Sequence, residues 1–329
     1  MQSILEFGVR LVVGLQGVGA WPTLPMQFFS FLGTEDFFVL ALPILYWCVD
    51  SMLGMRVAIL LLLGTNINAA FKLAFHGPRP YWYSPKVRVL ATETSFGIPS
   101  GHAQTAATIW GLLAATLRKW WGWLVAILLI FLIGLSRLYL GVHFPQDVLL
   151  GWLIGGLVLW LALRFWDPVL AWTKKLSAGW QVLTAFLGSC VLFLLPVLPF
   201  LWLRSTNWQP PQDWAMFATQ ALSLSEVATV AGLFFGMLVG VVWLAGQGGF
   251  HTKGQWWELV LRYLLGIAGV FIIRYGLKFI FPSGENALAT FFGYLRYMVI
   301  GFWVTGGAPW TFIRIKLAEK AHNAPISVS

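Results

Sequence analysis

The chain has 329 residues, of which 59% are hydrophobic and only 10% charged, and its mean hydropathy is +0.77. This composition is typical of helical membrane proteins and excludes an ordinary cytosolic enzyme. The net charge of +9 comes from Lys and Arg residues scattered at the ends of apolar segments, so it does not indicate a nucleic-acid-binding surface. Cys48 and Cys190 both lie in apolar surroundings, and they predict neither a disulfide framework nor a cysteine metal site.

The N-terminal segment is predicted to form a helix on the membrane surface. Polar residues recur among apolar ones over residues 2–20, which suits an interfacial helix better than a membrane span. The Trp21-Pro22 pair then ends this helix. Because Glu6 precedes Arg10, no positively charged region comes before the first apolar run, and we expect no cleaved signal peptide.

Apolar segments of about 20 residues, the length that crosses a bilayer, recur through the rest of the chain. They predict an all-α polytopic membrane protein with about nine transmembrane helices, near residues 27–49, 55–74, 101–118, 121–140, 145–165, 180–203, 222–246, 256–281 and 287–312. We accordingly divide the chain into an N-terminal interfacial helix at 1–26, a six-helix core at 27–203 and a three-helix membrane extension at 204–329.

Two polar connections separate these segments. Residues 77–98 contain Pro78, Pro80 and Pro85, which should prevent a helix, and aromatic residues suited to the lipid headgroup level. This connection fits a lid over a site and an ordinary interfacial loop equally well. Residues 204–216 form a second loop, which we interpret as the boundary between the core and the extension.

Three short polar clusters interrupt the apolar background in the first half of the chain. They are Lys72 with Arg79-Pro80, then Pro99-Ser100-Gly101-His102, then Ser136-Arg137 with His143 and Asp147. In the predicted topology all three lie at the same membrane face, because each falls at the corresponding end of its span. Ionisable groups at membrane depth indicate a functional site.

The distribution of Lys and Arg predicts which side of the membrane holds the clusters. When Lys72, Arg79 and Arg137 are set aside, seven such residues lie on the cluster side and eleven on the other side. Positive residues favour the cytoplasmic side of a membrane. We therefore expect the clusters to face the periplasm, the exterior or a lumen, with the C-terminus in the cytoplasm.

The second and third clusters combine groups that suit phosphoryl chemistry. Ser100, Gly101 and His102 open a predicted helix, whose free N–H groups and dipole favour an anion, and Gly101 would let a ligand approach the backbone. Asp147 follows His143 by four residues, so its carboxylate can hold one ring nitrogen while the other presents its lone pair. This is the pattern of an activated nucleophile and its orienting partner.

Cations complete the predicted site. Lys72, Arg79 and Arg137 suit a group with several anionic oxygens, and the arginines can donate in bidentate fashion. In the predicted mechanism His143 attacks phosphorus, the cations stabilise the phosphoryl oxygens, and His102 protonates the leaving oxygen. No cofactor or metal is required, and neighbouring cations would repel a zinc ion bound to the histidines and the carboxylate.

In order and spacing, the clusters resemble the signature of the type 2 phosphatidic acid phosphatase (PAP2) superfamily, K-x6-R-P, P-S-G-H and S-R-x5-H-x3-D, with all eleven fixed positions filled. The resemblance covers about residues 27–165. It implies a helical membrane phosphatase core that hydrolyses a lipid phosphate through a phosphohistidine, without a metal. The implied catalytic residues are His143, His102 and Asp147, and the implied phosphate-binding residues are Lys72, Arg79, Ser100, Gly101 and Arg137.

Finer assignments and alternatives remain open at this point. The segment Gly33–Phe38 and the extra C-terminal spans resemble the sphingosine-1-phosphate phosphatase branch. A phosphotransferase would use the same site with an acceptor other than water, and a lipid-phosphate transporter would bind without turnover. The superfamily's pocket also resembles that of vanadium-dependent haloperoxidases, but nine spans and a lipid-facing site argue against that soluble chemistry. The expected partners are a lipid phosphate and membrane lipids, not nucleic acid, and the sequence defines neither the lipid nor the oligomeric state.

Overall fold

The computed structural model of the protein describes residues 2–282, 284 and 286–321. Every regular element among these residues is helical, which confirms the predicted all-α class. The helices are α1 (Gln2–Gln16), α2 (Thr23–Phe31), α3 (Glu35–Ile44), α4 (Ser51–Phe75), α5 (Pro80–Tyr83), α6 (Gly101–Leu117), α7 (Trp120–Tyr139), α8 (Pro145–Thr173), α9 (Ala178–Ser205), α10 (Ala215–Ala221), α11 (Ser225–Gly246), α12 (Trp256–Ile280), α13 (Ala287–Phe302) and α14 (Ala308–Arg314).

The predicted count of about nine spans is not confirmed. Within the described residues, seven helical segments are long and apolar enough to cross a membrane, and an eighth counts if the bent pair formed by α2 and α3 is one span. That pair, predicted as one helix at 27–49, bends by 51°. The helix predicted at 101–118 is α6, whose 17 residues span only about 25 Å, less than a hydrocarbon core of about 30 Å.

Two compact units make up the fold, and each draws on separate parts of the chain. The first takes in the chain up to Phe37, Leu63–Asp167 and Leu195–Leu224. The second takes in Phe38–Leu62, Pro168–Leu194 and the chain from Ser225 onward. All three polar clusters lie in the first unit. These units are not continuous stretches of sequence, so they do not test the predicted division of the chain at residues 26 and 203, which stays a prediction.

In the first unit, α8 lies unusually close to the start of α6. A Cβ atom at Gly151 would lie 2.5 Å from the Ser100 carbonyl oxygen and 3.1 Å from Ala103 Cβ. One turn further along, the Thr108 hydroxyl donates to the Gly155 carbonyl oxygen at 3.1 Å. Small residues on α8 therefore allow the second and third clusters to meet.

The connection at 77–98 contains a helix, contrary to the prediction that its prolines would prevent one. The single turn α5 begins with Pro80, at a position where the missing N–H would have no helical partner. The Trp82 ring stacks on Phe217 of α10 at a centroid distance of 5.4 Å and on Trp214 at 5.9 Å. The second polar loop therefore packs against the first within one unit.

The second unit contains a close pair of helices, α11 and α13. Gly232 and Gly236 of α11 lie against the backbone of α13, where an added Cβ would overlap the carbonyl oxygens of Tyr294 and Met298. Small residues at such crossings are typical of helix pairs in membranes, because they let the two backbones approach closely.

Candidate active site

The third cluster forms a buried imidazole–carboxylate pair. His143 lies in the turn between α7 and α8 and is 1% exposed. Its Nδ1 is 3.4 Å from Oδ2 of Asp147, and both side chains are buried. The same Oδ2 accepts a hydrogen bond from the Phe144 backbone N–H at 2.8 Å, which fixes the carboxylate at the start of α8.

Arg79 lies on the other side of the His143 ring. Its Nη1 is 3.3 Å from His143 Nε2 and donates to the Val142 carbonyl oxygen at 2.9 Å. A guanidinium group can only donate hydrogen bonds, so Nε2 is the ring nitrogen that carries the lone pair. Nδ1 then carries the hydrogen, which points to Asp147. The predicted nucleophile thus has the tautomer that a nucleophilic Nε2 requires.

Ser95 holds two of the predicted cations. Its hydroxyl oxygen lies 2.7 Å from Lys72 Nζ and 3.1 Å from Arg79 Nη2, and its carbonyl oxygen accepts from Arg79 Nε at 2.7 Å. Arg79 Nη2 also donates to the Phe96 carbonyl oxygen at 3.1 Å. The connection between α5 and α6 therefore organises the cations of the first cluster.

Arg137 at the end of α7 faces a second set of partners. Its Nη1 donates to the Ser30 hydroxyl, and its Nη2 forms an ion pair with Glu93 Oε1. Its Nε is buried and has no hydrogen-bond partner among the residues that the structure describes. A buried donor of this kind costs free energy until a ligand satisfies it.

The second cluster begins α6. Ser100 is the N-cap, and its backbone N–H donates to the Asp147 carbonyl oxygen at 2.9 Å, which ties the second cluster to the third. At Gly101 an added Cβ would lie 3.1 Å from Asn68 Oδ1. A side chain at this position would therefore press on Asn68 of α4, and close approach of a ligand to Gly101 stays a prediction.

His102 lies at the first turn of α6, beside Gly33. A Cβ at Gly33 would lie 3.4 Å from both Cβ and Cδ2 of His102. The side chain is partly exposed, and none of the hydrogen bonds found between described residues involves it. The structure thus brings Arg79 and Asp147 within hydrogen-bonding range of His143. Within the described part of the chain, it shows no hydrogen bond between His102 and these three residues.

The chain matches two protein-family profiles. The profile described as "PAP2 superfamily" matches residues 53–170, and the profile described as "PAP2 superfamily phosphatase, transmembrane extension" matches residues 228–320. The chain belongs to the PAP2 superfamily. Together with the apolar helices, this makes it an integral membrane protein.

Individual relatives cover parts of the chain. Over 148 residues it is 35% identical to sphingosine-1-phosphate phosphatase 2 of Homo sapiens, which covers 43% of this chain and 37% of that protein. Over 219 residues it is 27% identical to glucose-6-phosphatase 3 of Bos taurus, which covers 59% and 62%. The chain thus spans less than two thirds of the length of these relatives.

A solved structure of a transmembrane PAP2-type phosphatidylglycerolphosphate phosphatase from Bacillus subtilis is also similar to this chain. The sequence identity is 23% and the TM-score is 0.45. The likeness covers 51% of this chain and 89% of that one.

The electrostatics of this PAP2 site centre on Glu93, in the connection before α6. Burial alone would raise the pKa of Glu93, but the neighbouring groups Arg137, Arg79, His102 and Lys72 lower it to about 2. The carboxylate is therefore ionised at any ordinary pH. All four groups are therefore near enough to influence one carboxylate.

The charge state of His143 follows from the same surroundings. Burial lowers its pKa well below the ordinary value of 6.5, and the positive charges of Arg79, Arg137 and Lys72 lower it further. The imidazole is consequently neutral at neutral pH, and a neutral imidazole is the form that can act as a nucleophile.

Sequence reasoning missed three side chains that touch the predicted residues: Ser30, Glu93 and Ser95. They belong to no spaced motif, and two of them lie in a connection without periodicity. One available signal was that Glu93 is a carboxylate in the polar connection that directly follows the first cluster.

Proposed function

We propose that the protein is a lipid-phosphate phosphatase that hydrolyses a phosphomonoester or a pyrophosphate of a membrane lipid through a phosphohistidine on His143. The observation that carries this proposal is the arrangement of a buried neutral imidazole between a carboxylate and a guanidinium. Asp147 orients the ring through Nδ1, and Arg79 lies beside Nε2. Membership of the PAP2 superfamily supports the same chemistry.

In the first step, His143 Nε2 donates its lone pair to phosphorus, and the bond between phosphorus and the ester oxygen breaks. The leaving oxygen takes a proton from His102, which places that side chain in the role of general acid. Asp147 stabilises the positive charge that develops on the His143 ring, because its carboxylate faces the Nδ1 hydrogen.

In the second step, a water oxygen attacks the phosphohistidine, and the bond between phosphorus and Nε2 breaks. The proton of this water passes to His102, so the general acid is restored. The products are the dephosphorylated lipid and inorganic phosphate, and His143 returns to its neutral form.

Arg79, Arg137 and Lys72 supply the charge that stabilises the phosphoryl oxygens during both steps. Preorganised donors of this kind act on the transition state without reorganising, which makes them the largest contribution in many enzymes. The buried Nε of Arg137, which has no protein partner among the described residues, is a donor suited to a phosphate oxygen. The N–H groups at the start of α6 add further donors.

A lipid substrate is favoured by the position of the site and by one relative. The three clusters lie at the ends of apolar helices, where a headgroup can reach them while its chains stay in the membrane. The similarity to sphingosine-1-phosphate phosphatase 2 supports a lipid monoester. The similarity to glucose-6-phosphatase 3 extends over more of the chain and makes a sugar phosphate the second candidate.

The proposed orientation places the site away from the cytoplasm. The excess of Lys and Arg on the opposite side supports this orientation through the positive-inside rule. The test is the reaction of a cysteine engineered at Thr94, an exposed position in the connection before α6, with a membrane-impermeant reagent on intact cells, in a variant whose Cys48 and Cys190 are replaced by Ser. Labelling only after permeabilisation would contradict it.

The activity is tested by phosphate release from detergent-solubilised protein, with EDTA present, across lipid monoesters, lipid pyrophosphates and glucose 6-phosphate. We expect release from one lipid class and loss of at least about 10³-fold in His143→Ala. His251→Ala, in the other compact unit, is the matched control and should retain activity. Release only in the presence of an added acceptor would indicate a phosphotransferase, and binding without release a transporter.

A further inference from the structure

Glu93 pairs with Arg137 and lies near the other cations that the proposed reaction uses. Its Oε1 pairs with Arg137 Nη2, and its side chain is 27% exposed. The groups that lower its pKa are Arg137, Arg79, His102 and Lys72, and all four are residues assigned to phosphate binding or proton transfer. An anion therefore already stands where a phosphoryl group is expected.

The Glu93 carboxylate occupies one of the hydrogen-bond donors of Arg137. Nη1 is taken by Ser30, Nη2 by Glu93, and the buried Nε has no partner among the described residues. A phosphate group whose two oxygens accept from Nε and Nη2, in the bidentate manner typical of arginine, would need the position of the Glu93 oxygen.

Only the Glu93 side chain has to move for that exchange. The Tyr81 hydroxyl donates to the Glu93 carbonyl oxygen at 3.0 Å and accepts from its backbone N–H at 3.2 Å. These two bonds hold the main chain in place on both sides. The glutamate side chain is long and partly exposed, so it can rotate outward while the loop remains fixed.

We propose that Glu93 is a resident anion of the phosphate site, which the substrate phosphoryl group displaces from Arg137 and which returns when inorganic phosphate leaves. Glu93 neutralises part of the buried positive charge when the site is empty. When phosphate is bound, the carboxylate repels it and weakens its retention. Glu93 thereby sets the affinity for phosphate and promotes release of this product.

This inference rests on the proposed function only in that the site binds phosphate, so its test uses binding without turnover. Isothermal titration of the full-length protein in detergent with inorganic phosphate gives the dissociation constant. In Glu93→Gln the amide oxygen can still face Arg137 while the negative charge is lost. Because two like charges a few ångströms apart repel strongly near a protein surface, we expect phosphate to bind on the order of tenfold more tightly.

Glu6→Gln, which removes a carboxylate from an exposed position on α1, is the charge-matched control and should bind phosphate as the wild type does. Glu93→Ala is the second variant, and in it added acetate should compete with phosphate for the vacated position. Unchanged or weaker phosphate binding in Glu93→Gln would overturn the proposal, as would no competition by acetate in Glu93→Ala or no phosphate binding by any variant. Tighter binding without hydrolysis of any substrate would instead overturn the proposed phosphatase function alone.

Discussion

His143 Nδ1 faces Asp147 Oδ2 at 3.4 Å, across a turn in which both side chains are buried. The carboxylate is fixed by the Phe144 N–H, so the imidazole is oriented by a group that cannot easily turn away. This relationship orients the proposed nucleophile, because it leaves Nε2, beside Arg79, as the ring nitrogen that carries the lone pair. The first prediction follows from it.

Asp147→Asn should reduce kcat on the order of 10²- to 10⁴-fold, because an amide does not stabilise the imidazolium that forms during attack. An asparagine oxygen can still accept from Phe144, so the turn should keep its shape. Single-turnover measurements with an aryl phosphate check the effect on the first step. Asp213→Asn, in the turn before α10, serves as the matched control, and equal losses in both variants would contradict the orienting role.

The pH dependence of kcat/KM reports the His143 imidazole. Its folded-state pKa lies below 6.5, so the ring stays neutral and nucleophilic until the pH falls well below that value. We therefore expect the acid limb of the profile to lie below pH 6.5. The substrate phosphate also ionises, so its pKa is measured separately by ³¹P NMR and its contribution is removed from the profile before the enzyme's own limb is assigned. An enzyme limb at or above pH 6.5 that persists in Asp147→Asn, where position 147 no longer titrates, would show that the surrounding cations do not act on this ring.

Ser95→Ala should weaken substrate binding and catalysis together, because Lys72 and Arg79 lose a common hydroxyl acceptor. A hydrogen bond to a charged group contributes about 1.5–3 kcal/mol, so a loss of roughly tenfold or more in kcat/KM is expected. Ser205→Ala, at the exposed end of α9, is the matched control. Unchanged kcat/KM in Ser95→Ala would show that the two cations keep their positions without it.

The sequence predicted the pairing of His143 with Asp147 because that contact depends on local spacing at the start of a helix. His143 lies just before α8, and Asp147 follows it by four residues in the first turn of that helix. A separation of four residues places the two side chains on the same side. The Ser100 N-cap was predictable for a related reason, since a serine before an apolar run favours a helix start.

The remainder of the site depends on contacts that spacing does not encode. Glu93 and Ser95 reach the cations because the connection at 77–98 folds back, and no periodic pattern specifies that path. The contact of Gly101 with Asn68 likewise depends on the packing of α4 against α6. The count of about nine spans is not confirmed, because apolar length reveals neither the bend between α2 and α3 nor the shortness of α6.

The last prediction concerns the close approach of α8 to α6, which holds Asp147 next to Ser100. In Gly151→Ala the added methyl would lie 2.5 Å from the Ser100 carbonyl oxygen, so the two helices must separate. Overpacking of this kind costs about 1–3 kcal/mol, and we expect a lower thermal unfolding temperature in detergent together with reduced kcat.

Gly156→Ala provides a matched control on the same helix, because no atom lies within 4 Å of the added methyl. Alanine has the higher helix propensity, so this variant should be as stable as the wild type or slightly more stable. If the two variants behaved alike, the contact between α8 and the start of α6 would not be what holds the second and third clusters together. A loss confined to Gly151→Ala would instead link the catalytic geometry to the small residues of α8.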